Sequence, residues 1–125
     1  MLEIALDETE NGVFQKDIAL RQRISVKYLD NIIASLKVSG LIINNKGRKS
    51  GYRLSQKPSE IKLLDIYKAF EPAIAIVDCM EHGYDCKLSK TCGVRAFWEG
   101  LNNQIVLYFQ SFTLEDLLKE HKSRI

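Results

Sequence analysis

The chain predicts a mainly α-helical fold that carries one small β-hairpin. Three observations support this. Apolar residues recur at three- and four-residue spacing along most of the chain, and the longest such stripe lies near the C-terminus. Two short β-rich runs, Leu41–Asn44 and Tyr52–Leu54, flank a basic turn that contains Gly47 and Gly51. Glycine, asparagine and proline fall between the periodic segments rather than inside them. At 125 residues this is one domain, with room for one protruding element.

Leu2, Ile4, Ala5 and Leu6 predict a first helix, ended by Asn11-Gly12. Residues 15–23 predict a second, with Ile18, Ala19 and Leu20 inward and Lys16, Arg21, Gln22 and Arg23 outward. Ile24-Ser25 interrupts it, and the Ser25 hydroxyl can accept an early backbone N–H of the next helix. That helix runs to about Ser39 on a stripe of Leu29, Ile32, Ile33 and Leu36. Lys27, Tyr28, Asn31 and Ser35 occupy its outer face, and Gly40 supplies a left-handed stop. After the hairpin, Pro58-Ser59 opens a helix with Leu63, Ile66, Tyr67 and Phe70 on one face, ended by Pro72. A polar, turn-rich segment follows.

A long helix then carries Val94, Phe97, Trp98, Leu101, Ile105, Tyr108, Phe109 and Phe112, with Val106 and Leu107 on a second apolar face. Two apolar faces on one helix of a small chain call for a second packing partner, and a two-fold homodimer is the commonest one. Thr113-Leu-Glu-Asp116 reads as a capping box with Asp in place of Glu, opening a last helix with a polar tail.

Net charge is +2, but its distribution is uneven. Residues 1–12 balance to −4, residues 13–53 to +7 and residues 54–125 to −1. Basicity confined to one third of a chain suits a polyanion-facing surface. No apolar run approaches the roughly 18 residues of a membrane span. The N-terminus lacks the basic start of a secretory signal. Three cysteines cannot all pair within the chain, which points to a reducing cytoplasm. An enzyme is disfavoured: there is no phosphate loop, and the two histidines, His82 and His121, lie far apart.

Two short helices, a third helix and a basic hairpin make a winged helix-turn-helix, the fold of a double-stranded DNA reader. The third helix offers Ser25, Lys27, Tyr28 and Asn31 to phosphates and base edges of a major groove. The wing tip offers Arg48 and Lys49 to the backbone.

Asp17-Ile-Ala, Ile24-Ser-Val-Lys-Tyr-Leu-Asp30, Leu36-Lys-Val-Ser-Gly-Leu41, Gly47-Arg-Lys-Ser-Gly-Tyr-Arg-Leu54 and Pro58-Ser-Glu-Ile-Lys-Leu-Leu-Asp-Ile66 together resemble the Rrf-two regulators, the group of IscR, NsrR and CymR. The resemblance runs from Met1 to about Leu118. It implies a dimeric winged-helix transcription regulator, a repressor in many members, with the helix after the cysteines as dimerisation helix. It divides the chain into a DNA-binding domain (1–71), a cysteine-containing effector loop (72–93) and a dimerisation region with a C-terminal helix (94–125). Met1 aligns inside the family's first helix, so domain 1–71 is expected to start with that helix truncated. Lys27, Tyr28, Arg48 and Lys49 fall at DNA-facing positions, and Asp30 falls where IscR has a glutamate that tunes site choice.

The resemblance also implies an iron–sulfur cluster, [2Fe–2S] or [4Fe–4S], on Cys79, Cys86 and Cys92. Arg95 stands where IscR has a histidine ligand, and a guanidinium offers only donors. The expectation therefore includes a chain that holds no cluster. Two other readings of this loop stay open. Cys79, His82, Cys86 and Cys92 form a Cys₃His set of the right count for structural zinc. Alternatively the thiols, near Lys87 and Lys90, act as metal-free redox sensors. A cluster-free regulator gated by a protein partner of sulfur or cysteine metabolism, as in CymR, is the remaining functional alternative.

Overall fold

The computed structural model describes residues 1–7, 9–45, 51–81, 83–88 and 90–124. The elements are α1 (Leu2–Ala5), α2 (Gln15–Gln22), α3 (Val26–Val38), β1 (Ile42–Asn44), β2 (Tyr52–Leu54), α4 (Leu63–Lys68), α5 (Arg95–Ser111) and α6 (Leu114–Ser123). Short 3₁₀ turns cover Pro58–Glu60 and Asp78–Met80.

Local signals explain the turn between α2 and α3. Arg23 takes the left-handed conformation (φ 55°), and the Ile24 N–H donates back to the Ala19 carbonyl at 3.1 Å. Ser25 then caps α3 by accepting the Tyr28 N–H at 3.0 Å. At the far end of α3, Gly40 has φ 77°. The Leu41 N–H reaches the Leu36 carbonyl at 3.0 Å and the Gly40 N–H reaches that of Lys37. This pair of bonds is a Schellman stop, and buried Leu36 and Leu41 complete it. Leu29, Ile33 and Leu36 are buried as the stripe requires, and Ile32 packs against them. Leu20 departs from expectation: it is 80% exposed, because Ile18 and Ala19 already fill the face of α2 that meets the core.

The wing pairs β1 and β2 antiparallel, Ile42 opposite Leu54 and Asn44 opposite Tyr52. It has a third edge that periodicity did not reveal. Val13 forms an isolated antiparallel bridge to Tyr52, with N–H···O distances of 2.9 and 2.8 Å. Gly51 owes its identity to this crossing, since a Cβ there would lie 2.4 Å from the Val13 backbone.

The expected helix at Pro58-Ser59 is only a 3₁₀ turn, and α4 starts at Leu63. Tertiary pairing overrides helix propensity here. Ile61 is extended and fully buried, and its carbonyl accepts the Leu114 N–H at 2.8 Å. The Leu63 N–H donates to Phe112 at 3.0 Å, so Lys62 and Thr113 form a second antiparallel bridge. The chain thus returns after α5 to the base of α4. Thr113 caps α6 as predicted: its Oγ1 accepts the Asp116 N–H at 3.3 Å, and its own N–H donates to Asp116 Oδ2 at 2.8 Å.

Candidate DNA-reading surface and cysteine segment

The predicted contact residues of α3 share an open surface. Ser25, Lys27, Tyr28 and Asn31 are all exposed, although the Ser25 hydroxyl is already engaged as the cap. Tyr28 also borders an apolar groove of about 730 Å³ between α1, α3 and α4, whose walls include Leu2, Ile32 and Phe70. Arg48 and Lys49 lie outside the described residues.

Two contacts on this surface escaped sequence reasoning. Gln15 donates its side-chain amide to the Asp30 carboxylate and to the Val26 carbonyl, tying the start of α2 to α3. The Lys37 ammonium lies 5.7 Å from the centre of the Tyr52 ring and bridges α3 to the wing. The signal for the first was faint, since both groups are polar residues on outer faces.

Cys79, Cys86 and Cys92 are free thiols and each is half-buried. Cys79 sits in the 3₁₀ turn Asp78–Met80, which packs on α5. The other two lie in irregular chain beside short turns, and among the described residues the backbone bonds there are local, such as Thr91 N–H to the Leu88 carbonyl at 3.0 Å. Among the described residues, no three His, Cys, Asp or Glu side chains stand together as a metal-holding group. His82 lies outside the described residues. The donors fit an iron–sulfur cluster in kind, being three unpaired thiols on one segment. Arg95 is occupied otherwise: its Nε donates to Glu99 Oε1 at 3.0 Å, one turn along α5.

α5 has two unlike faces. On one, Phe109 meets Tyr67 of α4 edge to face, with centroids 5.3 Å apart. On the other, Phe97 and Tyr108 are about two-thirds exposed, at 65% and 66%, with Leu101 and Leu107 beside them. A single polar side chain is buried among the described residues, Asn102. It lies in register with Trp98, Ile105 and Phe109 on the inner stripe, and a polar residue on an apolar stripe was the available signal.

A helix-turn-helix with both helix ends stopped, an open outer face on α3 and a wing define a winged-helix transcription regulator. The chain belongs to the Rrf2 (Rrf-two) family, described as iron-dependent transcriptional regulators, whose profile matches residues 1–120. It is 36% identical over 120 residues to protein rrf2 of Nitratidesulfovibrio vulgaris Hildenborough, covering 96% of this chain and 80% of that one. It is 30% identical to the HTH-type transcriptional regulator IscR of Vibrio campbellii, over 98% of this chain and 72% of the relative. Among solved structures it is similar to CymR, the global cysteine regulator of B. subtilis, with TM-score 0.75 and 28% identity over 95% of this chain and 87% of that one. It is likewise similar to T. potens IscR, with TM-score 0.72 and 29% identity over 99% and 82%. These relatives are regulators rather than enzymes. Among the described residues, no helix is long and apolar enough to cross a membrane.

Proposed function

We propose that this chain is a cytoplasmic, homodimeric, DNA-binding transcription regulator whose DNA affinity is gated by the segment holding Cys79, Cys86 and Cys92. The observation that carries the reading is the place of those unpaired thiols. They lie on the connection between the helix-turn-helix domain (1–71) and α5, and the turn holding Cys79 rests on α5. An iron–sulfur cluster on the three sulfurs, in a family described as iron-dependent, is the favoured form of the gate. When bound, it would supply a charged, rigid cross-link within a segment whose own backbone bonds are local among the described residues. The thiols' own redox state is the simpler form.

The remaining parts have separate roles. Lys27, Tyr28 and Asn31 of α3 meet the major groove, with Ser25 ordering the first turn of that helix. Arg48 and Lys49 at the wing tip meet phosphates and fix register without reading bases. The exposed face of α5, with Phe97, Leu101 and Tyr108, is the dimer contact.

Anaerobic purification with a visible spectrum and quantitation of iron, sulfide and zinc tests the gate. A coloured sample containing iron and sulfide is expected. A colourless sample without iron defeats the cluster, and stoichiometric zinc makes the site structural instead. Duplex binding at low salt tests the reader, and replacing Arg48 or Lys49 by Ala should each lower the salt slope by about 0.9. Leu101→Glu should convert a dimer into a monomer in sedimentation.

A cluster-free regulator gated by a protein partner is the second reading. Two observations favour it: Arg95 is held by Glu99 rather than available to a ligand, and no three-ligand group is gathered among the described residues. Recovery of DNA gating only on adding a protein fraction would select it.

A further inference from the structure

We infer that Asn102 is a positioning residue that makes the cysteine segment and α5 move as one body. Its side-chain Nδ2 donates to the Ile74 carbonyl at 3.0 Å, and its Oδ1 accepts the Ile76 N–H at 3.0 Å. The two partners are alternate residues of irregular chain, so one amide side chain satisfies two backbone groups that no secondary structure pairs. The orientation of the amide is dictated by its partners, because flipping it would set donor against donor and acceptor against acceptor.

Among the described residues, these are the hydrogen bonds that join residues 72–93 to α5. The backbone bonds of the segment itself are local. Asn102 is 9% exposed, beside buried Ile74, so water competes poorly for either bond. Cys79 follows Ile76 by three residues. Cys79 and Asn102 line the same cleft of about 440 Å³, together with Tyr84, Arg95, Glu99 and Asn103. Leu101 and Asn103 flank Asn102 in sequence and are exposed, Leu101 on the open apolar face. A displacement of Cys79 is therefore delivered, through two directional bonds, to the turn of α5 that carries the open face.

The inference rests on the proposed gating for its consequence at DNA, and its test omits DNA so that the two can fail separately. Hydrogen exchange is measured on the full chain before and after capping the thiols with iodoacetamide, for wild type, N102A and N102S. The serine variant keeps a small polar group and guards against loss of the fold. In wild type, capping should speed exchange of α5 amides near Asn102 at least several-fold, with α3 unchanged. In both variants Ile76 should lose protection before capping, and capping should then change the α5 amides by less than two-fold. A purely structural role would leave α5 in the variants still responding to capping. That result, or a wild-type α5 that ignores capping, overturns the inference. If α5 responds as expected while DNA affinity is indifferent to thiol capping and to iron with sulfide, the gating fails and the coupling stands.

Discussion

The turn of the helix-turn-helix and the cysteine segment both connect helices, yet they are held in opposite ways. The turn between α2 and α3 is closed by its own residues: a left-handed Arg23, a capping Ser25 and buried neighbours on each side. The segment from Pro72 to Gly93 has turns that satisfy themselves but little that attaches them to the rest. Two bonds to Asn102 and the packing of one 3₁₀ turn are its links to α5 among the described residues. A recognition helix must present one geometry, so its ends are over-determined. Under the proposed gating, the cysteine segment must have two states close in free energy, which suits its few attachments.

Substitutions can break or sharpen this contrast. Ile61→Ala should have the largest effect, about 4 kcal/mol in urea unfolding, because the side chain is fully buried where the chain returns at Leu114. Gly51→Ala should cost about 3 kcal/mol, since its Cβ meets Val13 backbone rather than a side chain that can rotate away. Ser25→Ala should cost about 1 kcal/mol through loss of the cap on α3. Replacing all three cysteines by serine in metal-free protein should change stability by less than about 0.5 kcal/mol. A loss of several kcal/mol in that last variant would make the thiols part of the packed structure and erase the contrast.

The smallest effect concerns pH. The backbone N–H of Thr113 holds the Asp116 carboxyl below its ordinary range, with the Thr113 hydroxyl and Lys119 acting in the same direction. Its folded value is depressed, so its contribution is full above the unfolded carboxylate value of about 3.9 and is lost as pH falls through the folded value. Asp116→Asn should therefore destabilise α6 at neutral pH, with the difference from wild type shrinking toward about pH 3.

The same contrast governs what could be read in advance. The stops around α2 and α3 are written in neighbouring residues, so Ser25, Gly40 and the Leu29, Ile33 and Leu36 stripe were legible. The Thr113–Asp116 cap was legible for the same reason. Pairings between distant segments were not. Neither Val13 opposite Tyr52 nor Ile61 opposite Leu114 leaves a local period, and the second displaced the expected start of α4 from Pro58 to Leu63. Leu20 misled because an apolar residue carries no label for the face it occupies. The three cysteines were legible as a cluster in sequence. The residue that ties their segment to α5 lies 10 or more positions away, inside an apolar stripe.

The bridge between Lys62 and Thr113 makes everything from α4 to the end of α5 a closed loop, sewn shut at its base. Severing that loop between Glu81 and Gly93 would leave two pieces still clasped by a buried seam at Ile61 and Leu114. A protease acting on the cysteine segment would then produce a nicked protein that elutes as one particle and separates only under denaturant. It would retain its helix-turn-helix, with Cys79 still attached to it, while losing covalent continuity with α5, and would not be unfolded.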